Sequence, residues 1–308
     1  MNAIAVTENM RCHPGIINTR LFYYASAFSG DISRWQISNV ESIDRMFYGA
    51  SSFNCDLPWD TSKITDMASL FEGAEAFNGD VSSWDTSNVT RMAQMFDGAT
   101  AFNGDLSKWD THLVMDFSCM FQGASSFNGD ISRFDFSSLP TTYSSISSCY
   151  LDSYYSYRTT GSIYRMFSQA TSFNGDISSW NVSHAGSLQS LFEGATSFNI
   201  DLSSWDVSDV TYFDRMFLGA SSFQQDLCWD IDFNKQNLGM YLMFVGSAGR
   251  ILCSQGPAPT TNKEENEPDS SVLQVIGDNT ADYWAVTKNF AKDFWAAITR
   301  RLSSDNTE

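Results

Sequence analysis

The sequence predicts an α/β repeat solenoid of about nine coils of ~25 residues, each with one short strand and one short helix, followed by a C-terminal amphipathic helix. Three observations predict it. An aromatic closing a Met-Phe or Leu-Phe pair recurs at Phe22, Phe47, Phe71, Phe96, Phe121, Phe167, Phe192, Phe217 and Phe244, with spacings of 25, 24, 25, 25, 46, 25, 25 and 27. Each copy carries start and stop signals at fixed offsets, as in Thr86-Ser87-Asn88 before the unit and Gly98 after its pair. The composition, 43% hydrophobic and 15% aromatic, supplies a core continuous from coil to coil and excludes a disordered chain.

Taken in chain order, residues 1–14 form a disordered leader and residues 15–254 the solenoid. A Ser/Tyr-rich insertion at about 137–161 accounts for the one spacing of 46 and reads as a long loop leaving the stack. Residues 255–271 hold three of the six prolines and an acidic run at Glu264, Glu265, Glu267 and Asp269, and read as a linker. In residues 272–308, Val286, Phe290, Phe294, Ile298 and Leu302 recur every four positions, the pattern of an amphipathic helix; it would cap the stack, bind a partner or lie on a membrane surface. Leu21-Phe22 already stands midway through a repeat, so the N-terminus reads as truncated, with a signal sequence missing.

Within one coil, Val89, Met92, Met95, Phe96 and Ala99 fall on one face of a short helix capped by Gly98, with counterparts of that glycine at Gly49, Gly73, Gly123, Gly194 and Gly219. Phe102-Asn103-Gly104-Asp105-Leu106 is too short and polar for a helix and reads as a strand pairing with its copies in a parallel ladder. One strand and one helix per coil is the leucine-rich-repeat kind of solenoid. Strands pack closer than helices, so the stack is expected to bend with the strands inside and to bind on that concave face.

The pattern Met-Phe-x-Gly-Ala-x-x-Phe-Asn-Gly-Asp-Leu-Ser-x-Trp-Asp-x-Ser-x-Val resembles the repeat of BspA-like leucine-rich-repeat surface proteins, the DUF285 group, over about Ile16 to Cys253. The resemblance implies a non-enzymatic surface or secreted protein that binds protein, matrix or cells. Departures are Phe134 for Trp, Gln224-Gln225 for Asn-Gly, Asn181 and Gln36 for the second Asp, and the insertion itself.

The candidate sites follow the repeat. Trp35, Trp59, Trp84, Trp109, Trp180, Trp205 and Trp229 read as core stacking rather than a sugar-binding row, as do Phe28, Phe53, Phe77, Phe102, Phe127, Phe173, Phe198 and Phe223. Asp31, Asp56, Asp80, Asp105, Asp130, Asp176, Asp201 and Asp226 should stack about 5 Å apart, close enough for like charges to repel. Either each carboxylate accepts backbone N–H bonds, beside an amide ladder of Asn54, Asn78, Asn103, Asn128, Asn174 and Asn199, or calcium lies between coils. A second series, Asp60, Asp85, Asp110, Asp135, Asp206 and Asp230, suits the positive end of the helix dipole.

Cys228 and Cys253 fall 25 residues apart and read as a disulfide between adjoining coils, with Cys119 and Cys149 a second pair; buried reduced thiols are the alternative. The sequons at Asn88 and Asn181 coincide with the helix-start motif. His13, His112 and His184 fall at unrelated places in the repeat, no catalytic or phosphate-binding motif is present, and no cofactor is expected. The net charge of −18 argues against a nucleic-acid partner, and there is no run of about 18 apolar residues to span a membrane. The reading is a non-enzymatic, surface or secreted binding protein for a macromolecular ligand, with Tyr143, Tyr150, Tyr154, Tyr155 and Tyr157 as the contact residues. An intracellular interaction scaffold and a calcium-stabilised module are the alternatives.

Overall fold

A computed structural model describes residues 20–140, 163–232 and 238–251. The chain divides into two compact units, Met1–Ala258 and Pro259–Glu308, and every described residue belongs to the first. The leader, the linker and the C-terminal amphipathic segment lie outside the described residues, as do Tyr143, Tyr150, Tyr154, Tyr155 and Tyr157.

The repeat is real, but its elements are not those expected. Among the described residues there is no α-helix, and there are only two strands, β1 (Asp226–Leu227) and β2 (Arg250–Ile251). They pair in parallel, with Asp226 opposite Arg250 and Leu227 opposite Ile251. Elsewhere the parallel pairing shrinks to single bridges that link Ser42, Asp66, Arg91 and Asp116 in one series and Ser187, Tyr212 and Gly239 in another. The helix-and-strand solenoid is therefore overturned, and with it the bend and the concave strand face.

Backbone hydrogen bonds explain why the helix does not form. In the coil of Phe96, the amides of Met92, Gln94, Phe96 and Gly98 donate to Asp116, Ser118, Met120 and Gln122 of the next coil. The amides between them stay local: Met95 donates to Met92, Asp97 to Gln94 and Ala99 to Phe96. An α-helix needs every amide to reach the fourth residue back. Here every second amide faces the neighbouring coil, and the rest close four-residue turns by bonding three residues back. Gln94 (φ 58°) and Gly98 (φ 68°) sit at the third position of two such turns, the left-handed site of a type II turn. Turns that close every third residue bury side chains at offsets of three, as one face of a helix does, so the apolar period fits both.

The core is a set of aromatic columns. Rings from Phe22 to Phe244 stack at 5.4 to 5.7 Å from coil to coil. A second column from Phe28 to Phe223 stacks at 5.6 to 5.9 Å. Within a coil the two rings lie face to face, 3.8 Å apart for Phe96 and Phe102. Stacked rings combine large apolar burial with favourable ring contact. The columns continue across residues 141–162: Phe121 meets Phe167 at 5.6 Å and Phe127 meets Phe173 at 5.9 Å. Ser137 to Leu139 still belong to the coil, since Ser137 bonds Asp135 and Leu139 is buried. The interruption therefore starts later than the sequence suggested.

Candidate functional site

The tryptophans are core. Trp59, Trp84, Trp109, Trp180, Trp205 and Trp229 are 3% exposed, and each indole N–H donates to a backbone carbonyl in the coil before it, Trp84 to Leu57 at 2.7 Å. Trp35 is buried as well. Phe134 keeps the stacking, 6.5 Å from Trp180, but has no N–H to give; Phe117 and Phe136 fill the space around it.

What remains on the surface is a pair of carboxylate rows. In the first, Asp31, Asp80, Asp105, Asp130, Asp176 and Asp201 each accept the backbone N–H of the serine two residues on, at 2.9 to 3.0 Å. Two members differ for visible reasons. Pro58 leaves Asp56 no such donor, and its carboxylate takes the N–H of Asp80 instead; Asp226 forms a two-point ion pair with Arg250. Hydrogen bonds from Ser33 hold Asp31 below the ordinary carboxylate pKa, and those from Ser82, Ser107, Ser132 and Ser178 do the same for Asp80, Asp105, Asp130 and Asp176. The charge of Asp105 pushes Asp80 and Asp130 the other way, so repulsion between coils exists and is outweighed.

The asparagines form a ladder of a different kind from the one expected. Each side-chain oxygen accepts the backbone N–H of the asparagine one coil on, from Asn54 to Asn78 at 2.9 Å through to Asn174 and Asn199 at 2.8 Å; Asn199 then receives Gln224. The side chains thus stand in for the missing strand pairing.

The second row is also corrected. With no helix there is no dipole to complement. Asp60, Asp85, Asp135 and Asp206 accept the N–H two residues on, and Asn181 does the same work for Ser183. Asp110 bonds the N–H and ring of His112. Asp230 is exposed. His184 is exposed in another coil, and His13 lies outside the described residues. Among the described residues no three His, Cys, Asp or Glu side chains gather as a metal-binding group, and no helix is long and apolar enough to cross a membrane.

Cys55 and Cys228 are free thiols, the latter exposed, so the expected link from Cys228 is not formed. The last two coils pair at an offset of 24, Asp226 to Arg250 and Leu227 to Ile251, and Cys253 lies outside the described residues. Cys119 is disulfide-bonded, and since Cys55 and Cys228 are free its partner is Cys12, Cys149 or Cys253, all outside the described residues.

A buried polar stripe beside the turns is a feature that the sequence reading did not single out. A non-glycine residue is left-handed at the same place in eight coils: Arg45, Ser69, Gln94, Cys119, Arg165, Ser190, Arg215 and Leu242. Three residues further on stand Glu72, Asp97 and Glu193, all buried. Arg215 meets Glu193 at 2.6 Å, and Gln122 reaches Asp97 from the next coil. The only signal was a polar residue recurring inside an apolar pattern.

The family description "Mycoplasma protein of unknown function, DUF285" matches residues 17–58, 57–154 and 153–249. No curated protein matches the chain. The matched segments run through nearly all of the stacked coils, and the chain belongs to the DUF285 family.

Proposed function

We propose that this chain is a non-enzymatic binding module of the cell surface or extracellular space, as the BspA-like surface proteins its repeat resembles are held to be. The observation that carries the reading is the disulfide at Cys119, a bond that persists in oxidising compartments. The use of the other side chains agrees with it. The aromatic repeat is consumed by the core and the carboxylates by their own turns, which leaves recognition to residues 141–162, where Tyr143, Tyr150, Tyr154, Tyr155 and Tyr157 fall. The ligand class is a protein or matrix macromolecule, taken up without cofactor or chemistry.

An intracellular scaffold is the second reading, supported by the free thiols of Cys55 and Cys228. Labelling intact source cells with a membrane-impermeant thiol reagent separates the two. The surface reading expects Cys228 to be labelled from outside and Cys119 to be recovered oxidised. Labelling of Cys228 only after permeabilisation, with Cys119 reduced, would establish the scaffold. Deleting Thr141 to Tyr157 is expected to abolish adhesion to cells or matrix with little change in melting temperature.

A further inference from the structure

The two sequons, Asn88-Val89-Thr90 and Asn181-Val182-Ser183, stand at different places in the coil, and without a helix the helix-start motif accounts for neither. In each the middle valine is fully buried and the asparagine is exposed. Their polar groups are used differently. Asn88 reaches across to the coil before it: Nδ2 donates to the Ser62 carbonyl at 2.8 Å, and Thr90 Oγ1 donates to the Thr65 carbonyl at 3.1 Å. Ser138, at the corresponding place two coils on, also bonds the coil before it, through the His112 carbonyl. Asn181 keeps to its own turn. Its Oδ1 accepts the Ser183 N–H at 3.1 Å and the Ser183 hydroxyl at 2.7 Å, as Asp60 and Asp85 accept Ser62 and Ser87. That turn asks only for an oxygen. Asn181 adds an amide nitrogen, which makes no hydrogen bond among the described residues.

We propose that Asn181 is an N-glycosylation site and that Asn88 stays unmodified in the folded protein. Glycosylation at Asn181 depends on the surface or secreted reading above, since the acceptor sequence is used along the secretory route. The donor class is an oligosaccharide carried on a lipid diphosphate, delivered by an oligosaccharyltransferase. The Asn181 nitrogen attacks the anomeric carbon, and a C–N bond forms as the C–O bond to the diphosphate breaks. The diphosphate leaves with the electron pair, and the nitrogen gives up one proton to a base of the transferase. The coil then decides which asparagine can carry the product. A sugar on Asn181 replaces a hydrogen that bonds nothing in the coil, so both Ser183 bonds survive. A sugar on Asn88 would be set against the Ser62 carbonyl, in the 2.8 Å that a hydrogen bond spans and a pyranose ring does not fit. A chain modified at Asn88 before folding forgoes that link between coils; one modified at Asn181 forgoes nothing.

The test is peptide mapping by mass spectrometry of the native protein from its source cells, before and after peptide-N-glycosidase, with the redox state of Cys119 read from the same digest. Asn181 is expected to carry the glycan and to be released as aspartate, with Asn88 unmodified and Cys119 oxidised. Asn181→Asp restores the carboxylate of the row and Ser183→Ala removes the hydroxyl; expressed in the same cells, each should lose the glycan, and Asn181→Asp should keep the wild-type melting temperature once the wild-type glycan has been removed. A bare Asn181 with Cys119 oxidised would overturn the site and leave the surface reading standing. A bare Asn181 with Cys119 reduced would overturn both. A glycan on Asn88, alone or alongside Asn181, would overturn the choice assigned to the coil.

Discussion

The column of phenylalanines from Phe47 to Phe217 and the column of asparagines from Asn54 to Asn199 pass through the same coils at the same period, yet they hold them together by opposite means. The phenylalanines are fully buried, and their contribution is non-directional burial. The asparagines lie at the surface, where burial adds little. Each instead supplies one oxygen to a backbone N–H that would otherwise lack a partner in the adjacent coil. A period in a sequence therefore says that neighbours touch, but not through which force.

The largest expected effect comes from the apolar column. Phe96 lies between Phe71 and Phe121, 5.6 Å from each, and Phe96→Ala should cost about 3–5 kcal/mol by urea unfolding. Thr86 lies between the two regimes. It is buried, donates to the Asp110 carbonyl at 2.8 Å and accepts the Asp110 amide at 2.9 Å. Thr86→Val keeps the volume and strands both groups, at a cost of roughly 1–3 kcal/mol. In the polar column, Asn103→Ala removes one bond from an exposed edge and should cost about 1 kcal/mol, with faster hydrogen exchange at Asn128 as its local mark. A loss for Asn103→Ala as large as that for Phe96→Ala would show that the two columns share one mechanism.

Two smaller effects sharpen the contrast. Ser69 is left-handed, and its buried hydroxyl has no partner, so Ser69→Gly should raise stability by about 1 kcal/mol, unlike a glycine placed elsewhere in the coil. The carboxylates of Asp31, Asp80, Asp105, Asp130 and Asp176 titrate below their unfolded values. Their stabilising contribution is complete above the unfolded pKa and is lost as pH falls through the folded values. Melting temperature should therefore decline on acidification below the ordinary carboxylate range, and only slightly, because these groups are exposed.

The phenylalanines, tryptophans and first aspartate row were legible in the sequence because each role depends on residue type and spacing alone. Phe102 must be buried wherever the coil places it, and Asp105 can bond Ser107 in any open turn. The backbone was not legible. Val89, Met92, Met95, Phe96 and Ala99 satisfy a helix face and a succession of turns equally well, and the deciding fact is the left-handed Gln94, a residue type with no strong preference for that conformation. The same holds for Cys228, since a spacing of 25 marks adjoining coils without saying whether two thiols meet, and the thiol is free.

The buried indoles have an optical consequence. Trp59, Trp84 and Trp109 lie nearly parallel at 6.4 and 6.1 Å, and Trp180 and Trp205 at 6.3 Å, with Phe134 standing between the two sets. Parallel chromophores at such separations couple electronically, so each set should absorb and emit as a unit, with a strong near-ultraviolet circular dichroism signal. Phenylalanine cannot accept excitation from tryptophan at these wavelengths. Phe134 therefore divides the coupled row into two segments, one on each side of residues 141–162.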